Sequence, residues 1–136
     1  GNKTDIKSAL EYFNHTVKKR CIVFLISDFI DDGYERILKI IGKKHDLIGV
    51  VLQDPRESIM PQAGLIKFRD AETGEIRFID TDDRRTRTWF AAQNVKRIEE
   101  RKTMFLKSRL DSINIDTSLS YIKPLVDFFK MREKRW

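Results

Sequence analysis

A chain of 136 residues with 40% hydrophobic residues is long enough to bury one core, which excludes a disordered or low-complexity polymer. The net charge of +6 leaves a polyanionic partner open, while the single cysteine, Cys21, excludes an internal disulfide and a cysteine-rich metal cluster. No stretch approaches the roughly 18 apolar residues of a membrane span, and no signal-peptide pattern is present. We therefore expect a cytoplasmic protein without a membrane segment.

The first half of the chain alternates predicted helices and strands. Residues 4–20 carry apolar side chains at helical spacing, and Cys21–Ile26 then form an apolar run without polar alternation. That run predicts a parallel strand buried on both faces. A second helical stripe over residues 34–41 precedes another apolar strand at residues 46–52. This order predicts an α/β fold in which helices flank a parallel sheet.

The pattern changes in the second half. The runs "GLIKFRD" and "EIRFID", separated by "AETG", predict a β-hairpin insertion. A long polar helix is expected over residues 83–110, then a short strand at "SINIDTS" and a last helix capped by Ser120. No linker or repeat interrupts residues 1–136, so we expect a single domain. The long helix should turn these apolar residues inward: Ala91, Val95, Ile98, Phe105 and Leu106.

Acidic residues gather where the first strand ends. Ligands of open parallel sheets bind beyond the carboxyl ends of the strands, and Asp28 lies at such an end. The segment before the first helix should open onto the same rim, so Thr4 and Asp28 could meet there. Their hydroxyl and carboxylate oxygens suit Mg²⁺. Ser27, Asp31 and Asp54 could line the rim, although an aspartate after a strand is more often a cap or turn residue.

The basic residues are concentrated towards the end of the chain. Residues 84–109 contain nine Lys or Arg residues against two Glu, and the chain ends in "KMREKRW". Such a stripe could neutralise nucleic-acid phosphates. Because no RNA-binding motif, zinc-finger spacing or clear helix-turn-helix accompanies it, we favour a solvated helix face and expect no nucleic-acid partner.

Several motifs carry a resemblance to a known family. "GNKTDIKSAL" followed by "VFLISDF" resembles the second half of a von Willebrand factor A-like domain. The runs "HDLIGVVLQDPRE…MPQAGLIKFRDAETGE" and "IDTSLSYIKPLVDFFKMREKR" resemble, more specifically, an uncharacterised bacterial family with this fold. That family is commonly encoded beside MoxR-type AAA+ ATPases. The motifs cover nearly the whole chain in the family's order.

The resemblance implies a metal-ion-dependent adhesion site. Thr4 matches the Thr loop of that site and Asp28 the Asp loop, although the "SDF" of this chain replaces the Asp-Gly common in related domains. The Asp-x-Ser-x-Ser loop, which supplies most ligands, would lie upstream of Gly1. We therefore expect this chain to be the C-terminal part of the domain, and Mg²⁺ to bind the complete domain but not this chain alone.

Two functions of different classes follow from these observations. The resemblance implies a non-enzymatic protein-interaction domain that works with a MoxR-type ATPase in protein assembly or maturation. The rival is an Mg²⁺-dependent phosphohydrolase or nuclease-like domain, in which the acidic cluster holds the metal and the basic stripe grips nucleic acid. We also expect a homodimer, since the resemblance leaves the apolar strand Cys21–Ile26 with an open edge that another copy can pair.

Overall fold

The computed structural model describes residues 5–54, 62–69 and 73–135. In chain order the helices and strands are α1 (Ile6–Thr16), β1 (Ile22–Ser27), α2 (Glu35–Lys44), β2 (Asp46–Gln53), β3 (Leu65–Arg69), β4 (Ile76–Asp80), α3 (Arg84–Lys107), β5 (Asp111–Asp116) and α4 (Ile122–Arg135).

The strands form two separate sheets. A parallel sheet has the order β1-β2-β5, with Ile22 beside Asp46 and Ile48 beside Asp111. The second sheet is the antiparallel hairpin of β3 and β4. The α/β class, the parallel sheet and the inserted hairpin are thus as predicted, while residues 70–72, the end of "GLIKFRD" and the first half of the expected turn "AETG", lie outside the described residues.

The chain divides into two compact units. One comprises residues 1–54 and 101–136 and contains the parallel sheet, and the other comprises residues 55–100 and contains the hairpin. In the second unit, the buried Thr81 hydroxyl accepts a hydrogen bond from the Ala63 amide (3.0 Å) and donates one to the Gly64 carbonyl (2.6 Å). These two hydrogen bonds hold the residues before β3 against the residue that follows β4.

Alternate residues of β2 point to opposite faces of the parallel sheet, and each face carries a hydrophobic cluster. Leu47 and Val51 pack with α1, α2 and the end of α3, whereas Ile48 and Val50 pack with β5 and α4. Because both faces of β2 are covered, its residues from Leu47 to Val51 are all buried. The second strand is therefore the buried centre of the sheet, as its continuous apolar sequence indicates.

The expectation that the first strand is buried on both faces is wrong. Val23 and Leu25 pack against the core, but Ile22, Phe24 and Ile26 are 62%, 43% and 61% exposed. The α4 helix packs over β2 and β5 and reaches β1 through an edge-to-face contact between Phe129 and Phe24, with 6.3 Å between ring centroids. An apolar run shows that a strand is hydrophobic on both sides, but it does not show whether a helix covers each side.

The inward-facing residues expected for the long helix are also partly wrong. Phe105 is buried and Ile98 is half-buried, but Ala91, Val95 and Leu106 are exposed. Met104 takes the second buried position. The helix passes from one compact unit into the other at Arg101, so it needs no single apolar stripe along its length. A 3.6-residue pattern drawn through the whole segment therefore selected wrong positions.

The helix starts follow the capping rules. The Asp5 carboxylate accepts hydrogen bonds from the Ser8 amide (2.9 Å) and the Ser8 hydroxyl (2.6 Å), which caps α1. The Ser120 hydroxyl accepts from the Ile122 amide at 3.3 Å, at the start of α4. Pro124 lies in the first turn, where its missing N–H leaves no hydrogen bond unmade.

Candidate functional site

The start of α1 and the end of β1 lie at the same end of the parallel sheet. One carboxylate oxygen of Asp31, in the loop after β1, accepts a hydrogen bond from the Ile6 amide at 2.9 Å, although 25 residues separate them. The other accepts from the Asp32 amide at 2.9 Å. Thr4 lies outside the described residues. The contact nevertheless confirms that the start of α1 opens onto the rim where the first strand ends.

The loop that follows β1 is held by short-range hydrogen bonds. The buried Ser27 hydroxyl accepts from the Phe29 amide, and the exposed Asp28 carboxylate accepts from the Ile30 amide, both at 3.0 Å. Between them Phe29 adopts a left-handed backbone with φ of 58°. This conformation turns the Phe29 ring inward, where it packs edge-on against Phe105 with 5.2 Å between centroids. The backbone of Asp28 is therefore fixed by the core, while its side chain faces solvent.

A buried tyrosine lies next to this loop. Tyr34 precedes α2, and its ring lies 6.1 Å from that of Phe29. Burial, together with the negative charges of Glu35 and Asp31, raises the pKa of Tyr34 to about 12 against the opposing effect of Arg101. The phenol therefore stays protonated at neutral pH. It is a packing residue, and it is a poor candidate for a general base.

The described part of the rim offers hard oxygen ligands that are not assembled into a metal site. Asp28 is exposed, Asp31 is engaged with the start of α1, and Asp54 is half-buried just beyond β2. Within the described ranges no group of three His, Cys, Asp or Glu residues is arranged to hold a metal ion. The oxygen chemistry of Asp28 and Ser27 suits Mg²⁺, but two ligands make an incomplete set.

We expect this chain alone to bind Mg²⁺ no tighter than millimolar, because hydrated Mg²⁺ releases its waters reluctantly and needs more protein ligands than Asp28 supplies. Calorimetric titration with MgCl₂ measures this directly, with Asp28→Ala as the comparison. Micromolar binding that disappears in Asp28→Ala would show that the ligand set in this chain is sufficient.

An apolar groove was not anticipated from the sequence. It has a volume of about 600 Å³, and its walls come from the exposed face of β1, the neighbouring faces of β2 and β5, and the start of α4. The groove is continuous with the uncovered side of β1 because Phe24 and Ile26 form part of its wall. Its lining residues are Phe24, Ile26, Val50, Leu52, Ile115, Thr117, Leu119, Tyr121, Leu125 and Phe129.

A partly buried ion-pair network at the opposite end of the sheet was also missed. The Arg132 guanidinium donates to both oxygens of Asp46 (2.5 and 2.8 Å) and to one oxygen of Asp111 (3.0 and 3.2 Å). It also lies over the Phe128 ring at 5.0 Å from the centroid. Arg132 thus joins α4 to the first residues of β2 and β5. The sequence signal was faint: two strands that each begin with an aspartate, and one arginine in a basic helix.

Comparisons with other proteins give a family but no activity. The chain is 24% identical over 135 residues to an uncharacterized protein of Mycobacterium avium, an alignment that covers 98% of this chain and 79% of that protein. Uncharacterized proteins of Mycobacterium bovis and Mycobacterium tuberculosis are 28% identical over 83 residues, which is 60% of this chain and 26% of theirs.

No solved structure matches the chain. Within the described ranges, none of its helices combines the length and the apolar character that crossing a bilayer requires. The profile of a family described as "Protein of unknown function DUF58" matches residues 1–100. This match covers well over half of the sequence, and the chain therefore belongs to the DUF58 family.

Proposed function

We propose that the chain is the partner-binding part of a von Willebrand factor A-like interaction domain. In this proposal the domain is not an enzyme, and it acts with a MoxR-type ATPase in the assembly or maturation of other proteins. The resemblance of "GNKTDIKSAL" and "VFLISDF" supports the fold, as does a parallel sheet with helices packed on both faces. The observation that carries the proposal is the apolar strand β1, which pairs with β2 along one edge and has no partner strand among the described residues along the other.

Within the described residues, only half of the backbone N–H and C=O groups of β1 face a partner strand. The Cys21 carbonyl accepts from the Asp46 amide at 3.0 Å. In a parallel strand alternate residues turn their N–H and C=O groups to the same neighbour. Val23 and Leu25 therefore bond to β2, while the N–H groups of Ile22 and Ile26 point away from it. No described strand lies on that side, since the sheet order is β1-β2-β5.

The same strand exposes apolar side chains on one face. Ile22 and Ile26 are each more than 60% exposed, and Phe24 leads into the apolar groove. A sheet rarely leaves an uncharged edge open, because such an edge is a template for another chain. A partner strand would gain main-chain hydrogen bonds along the edge and bury the apolar face at once. This combination favours a protein partner.

The simplest partner strand is the β1 strand of a second copy. Two copies related by a two-fold axis would pair their β1 strands antiparallel, and the two exposed faces would become continuous. Residues 22–26 carry no charge that would oppose this pairing. The homodimer is thus part of the proposal.

The proposal also includes a metal site, which would form only in the complete domain. Thr4 and Asp28 would contribute two ligands, and an Asp-x-Ser-x-Ser loop would contribute the others. Bound Mg²⁺ would offer an open coordination position to a partner's carboxylate. The support in this chain is the exposed Asp28 carboxylate, which directly follows β1 at the carboxyl end of the parallel sheet.

A pair of variants at one position tests the proposal. Ile26→Pro removes the outward N–H without touching the bonds to β2, whereas Ile26→Thr changes the same side chain and keeps the N–H. We expect sedimentation to show that Ile26→Pro weakens dimerisation on the order of 100-fold and Ile26→Thr much less. The same pair, titrated against the MoxR-type ATPase of the same genome, tests whether the ATPase uses this edge. An equal effect of both substitutions would contradict strand pairing.

A further inference from the structure

We propose that the amino-terminal end of the parallel sheet is a docking surface for anionic phospholipid headgroups. This surface, here called the basic end, comprises residues 17–21, 42–46, 107–111 and 131–135. It lies at the opposite end of the strands from the acidic rim and is independent of the proposed protein-binding edge.

Contacts among its members bring the four segments together. The Lys44 ammonium donates to the Asn14 side-chain oxygen at 3.1 Å, which joins the ends of α1 and α2. A Cβ added to Gly42 would lie 2.6 Å from a methyl carbon of Leu110, so the turn before β5 packs directly on the end of α2. The bonds from Arg132 to Asp46 and Asp111 bring the end of α4 to the same place.

Charge at this end is strongly one-sided. Its segments contain ten Lys or Arg residues against three acidic residues. Two of the acids, Asp46 and Asp111, are already paired with Arg132. The bases are Lys18, Lys19, Arg20, Lys43, Lys44, Lys107, Arg109, Arg132, Lys134 and Arg135.

The other end of the sheet has the reverse balance. Among the described residues of its loops and helix starts, three are bases, Lys7, Arg36 and Lys123. They stand against seven acids, which are Asp5, Asp28, Asp31, Asp32, Glu35, Asp54 and Asp116. Helix dipoles favour bases in the last turn of a helix. They do not account for Lys19 and Arg20 in the loop after α1, or for Arg109 in the turn after α3.

The arrangement suits a flat anionic surface better than a nucleic acid. The bases come from the ends of four helices that lie on both faces of the sheet, so they spread in two dimensions instead of along a stripe. The described residues of these segments include no Phe, Tyr or Trp that could stack on a base, and Trp136 lies outside the described residues. Most of the bases are lysines, which act as point charges without the bidentate geometry of arginine. Each base near an anionic bilayer contributes on the order of a fivefold gain in affinity.

Co-sedimentation of the 136-residue chain with vesicles tests the proposal. The vesicles consist of phosphatidylcholine alone or of phosphatidylcholine with phosphatidylserine, and the chain without vesicles is the blank. One triple variant neutralises the basic end (Lys19→Gln, Lys43→Gln, Lys134→Gln). Its control carries the same charge change at the other end (Lys7→Gln, Arg36→Gln, Lys123→Gln). All six side chains are exposed, and circular dichroism confirms that both variants fold.

We expect binding to phosphatidylserine vesicles that weakens steeply with salt, falls about 100-fold in the first triple variant and is largely kept in the control. Equal loss in both variants would overturn the proposal, since net charge alone would then explain binding. Binding to phosphatidylcholine alone, or no binding, would overturn it too. A DNA duplex that competes with the vesicles, binds more tightly and loses this binding in the first triple variant would assign the basic end to nucleic acid. That result would also overturn the proposal.

Discussion

Replacing Arg132 with alanine is expected to lower the free energy of unfolding by about 2 kcal/mol, because it removes the guanidinium that joins two partly buried carboxylates. The Arg132 side chain is only 16% exposed, and its two carboxylate partners, Asp46 and Asp111, are 28% and 27% exposed. These two aspartates begin neighbouring parallel strands. Without the guanidinium between them, two negative charges would face each other at the start of β2 and β5.

The pH dependence of this effect follows from Asp46. Its hydrogen bonds to Arg132, and to a lesser extent the charge of Arg132, hold the pKa of Asp46 below its ordinary value of 3.8. A depressed pKa in the folded state stabilises the fold above the pKa of the unfolded state, and this contribution is lost as pH falls through the folded value. The stability difference between wild type and Arg132→Ala should therefore be full at pH 7 and shrink below about pH 4.

Arg135→Ala is the matched control. Arg135 also contacts Asp111, at 3.2 Å, but its side chain is 55% exposed, so its loss should cost less than about 1 kcal/mol. Urea unfolding at pH 7 and pH 3 measures all three proteins. An Arg132→Ala variant within about 0.5 kcal/mol of wild type, or no more destabilised than Arg135→Ala, would contradict the structural role of this network.

Gly49→Val is expected to cost about 3 kcal/mol by overpacking the centre of the sheet. Gly49 lies in the middle of β2, where an added Cβ would lie 2.8 Å from two ring carbons of Phe105 and 3.5 Å from the Phe29 ring. Phe105 is 5% exposed and packs edge-on against Phe29, so neither ring can withdraw without disturbing the other. Glycine at this position lets the end of α3 pack directly on the sheet.

A double-mutant cycle separates overpacking from a general loss of stability. Phe105→Leu alone opens a cavity and destabilises the fold, but in the Gly49→Val background it creates room for the new side chain. We expect the double variant to be more stable than the sum of the two single effects predicts. Strict additivity in urea unfolding would show that Gly49 and Phe105 do not compete for the same space.

The sequence predicted the elements that depend on local pattern. The alternation of helices and strands, the buried second strand and the hairpin all follow from hydrophobic spacing and turn residues. The shared rim followed from topology, and the Ile6–Asp31 hydrogen bond confirms it. The same reasoning could not distinguish Asp28, which faces solvent, from Asp31, which holds the start of α1. Both are aspartates in one short loop, and the left-handed backbone of Phe29 lies between them.

Features that depend on distant residues stayed hidden. Arg132 is 86 residues from Asp46, and no local pattern links them. The basic end is assembled from four short segments, and the sequence of each is typical of the basic last turn of a helix. The exposed face of β1 depends on where α4 packs, which the sequence of β1 cannot indicate. Tertiary placement determines all three features, and propensity and periodicity carry no information about it.

Hydrogen exchange along β1 tests the central claim, that its open edge pairs with another chain. Val23 and Leu25 are internal controls because their amides bond to β2 in either state, whereas the amides of Ile22, Phe24 and Ile26 are protected only by pairing. At about 100 µM chain we expect a dimer in sedimentation and comparable protection of all five amides, with protection of the outer three lost on dilution. A monomer at that concentration, with the Ile22, Phe24 and Ile26 amides exchanging freely, would contradict the account.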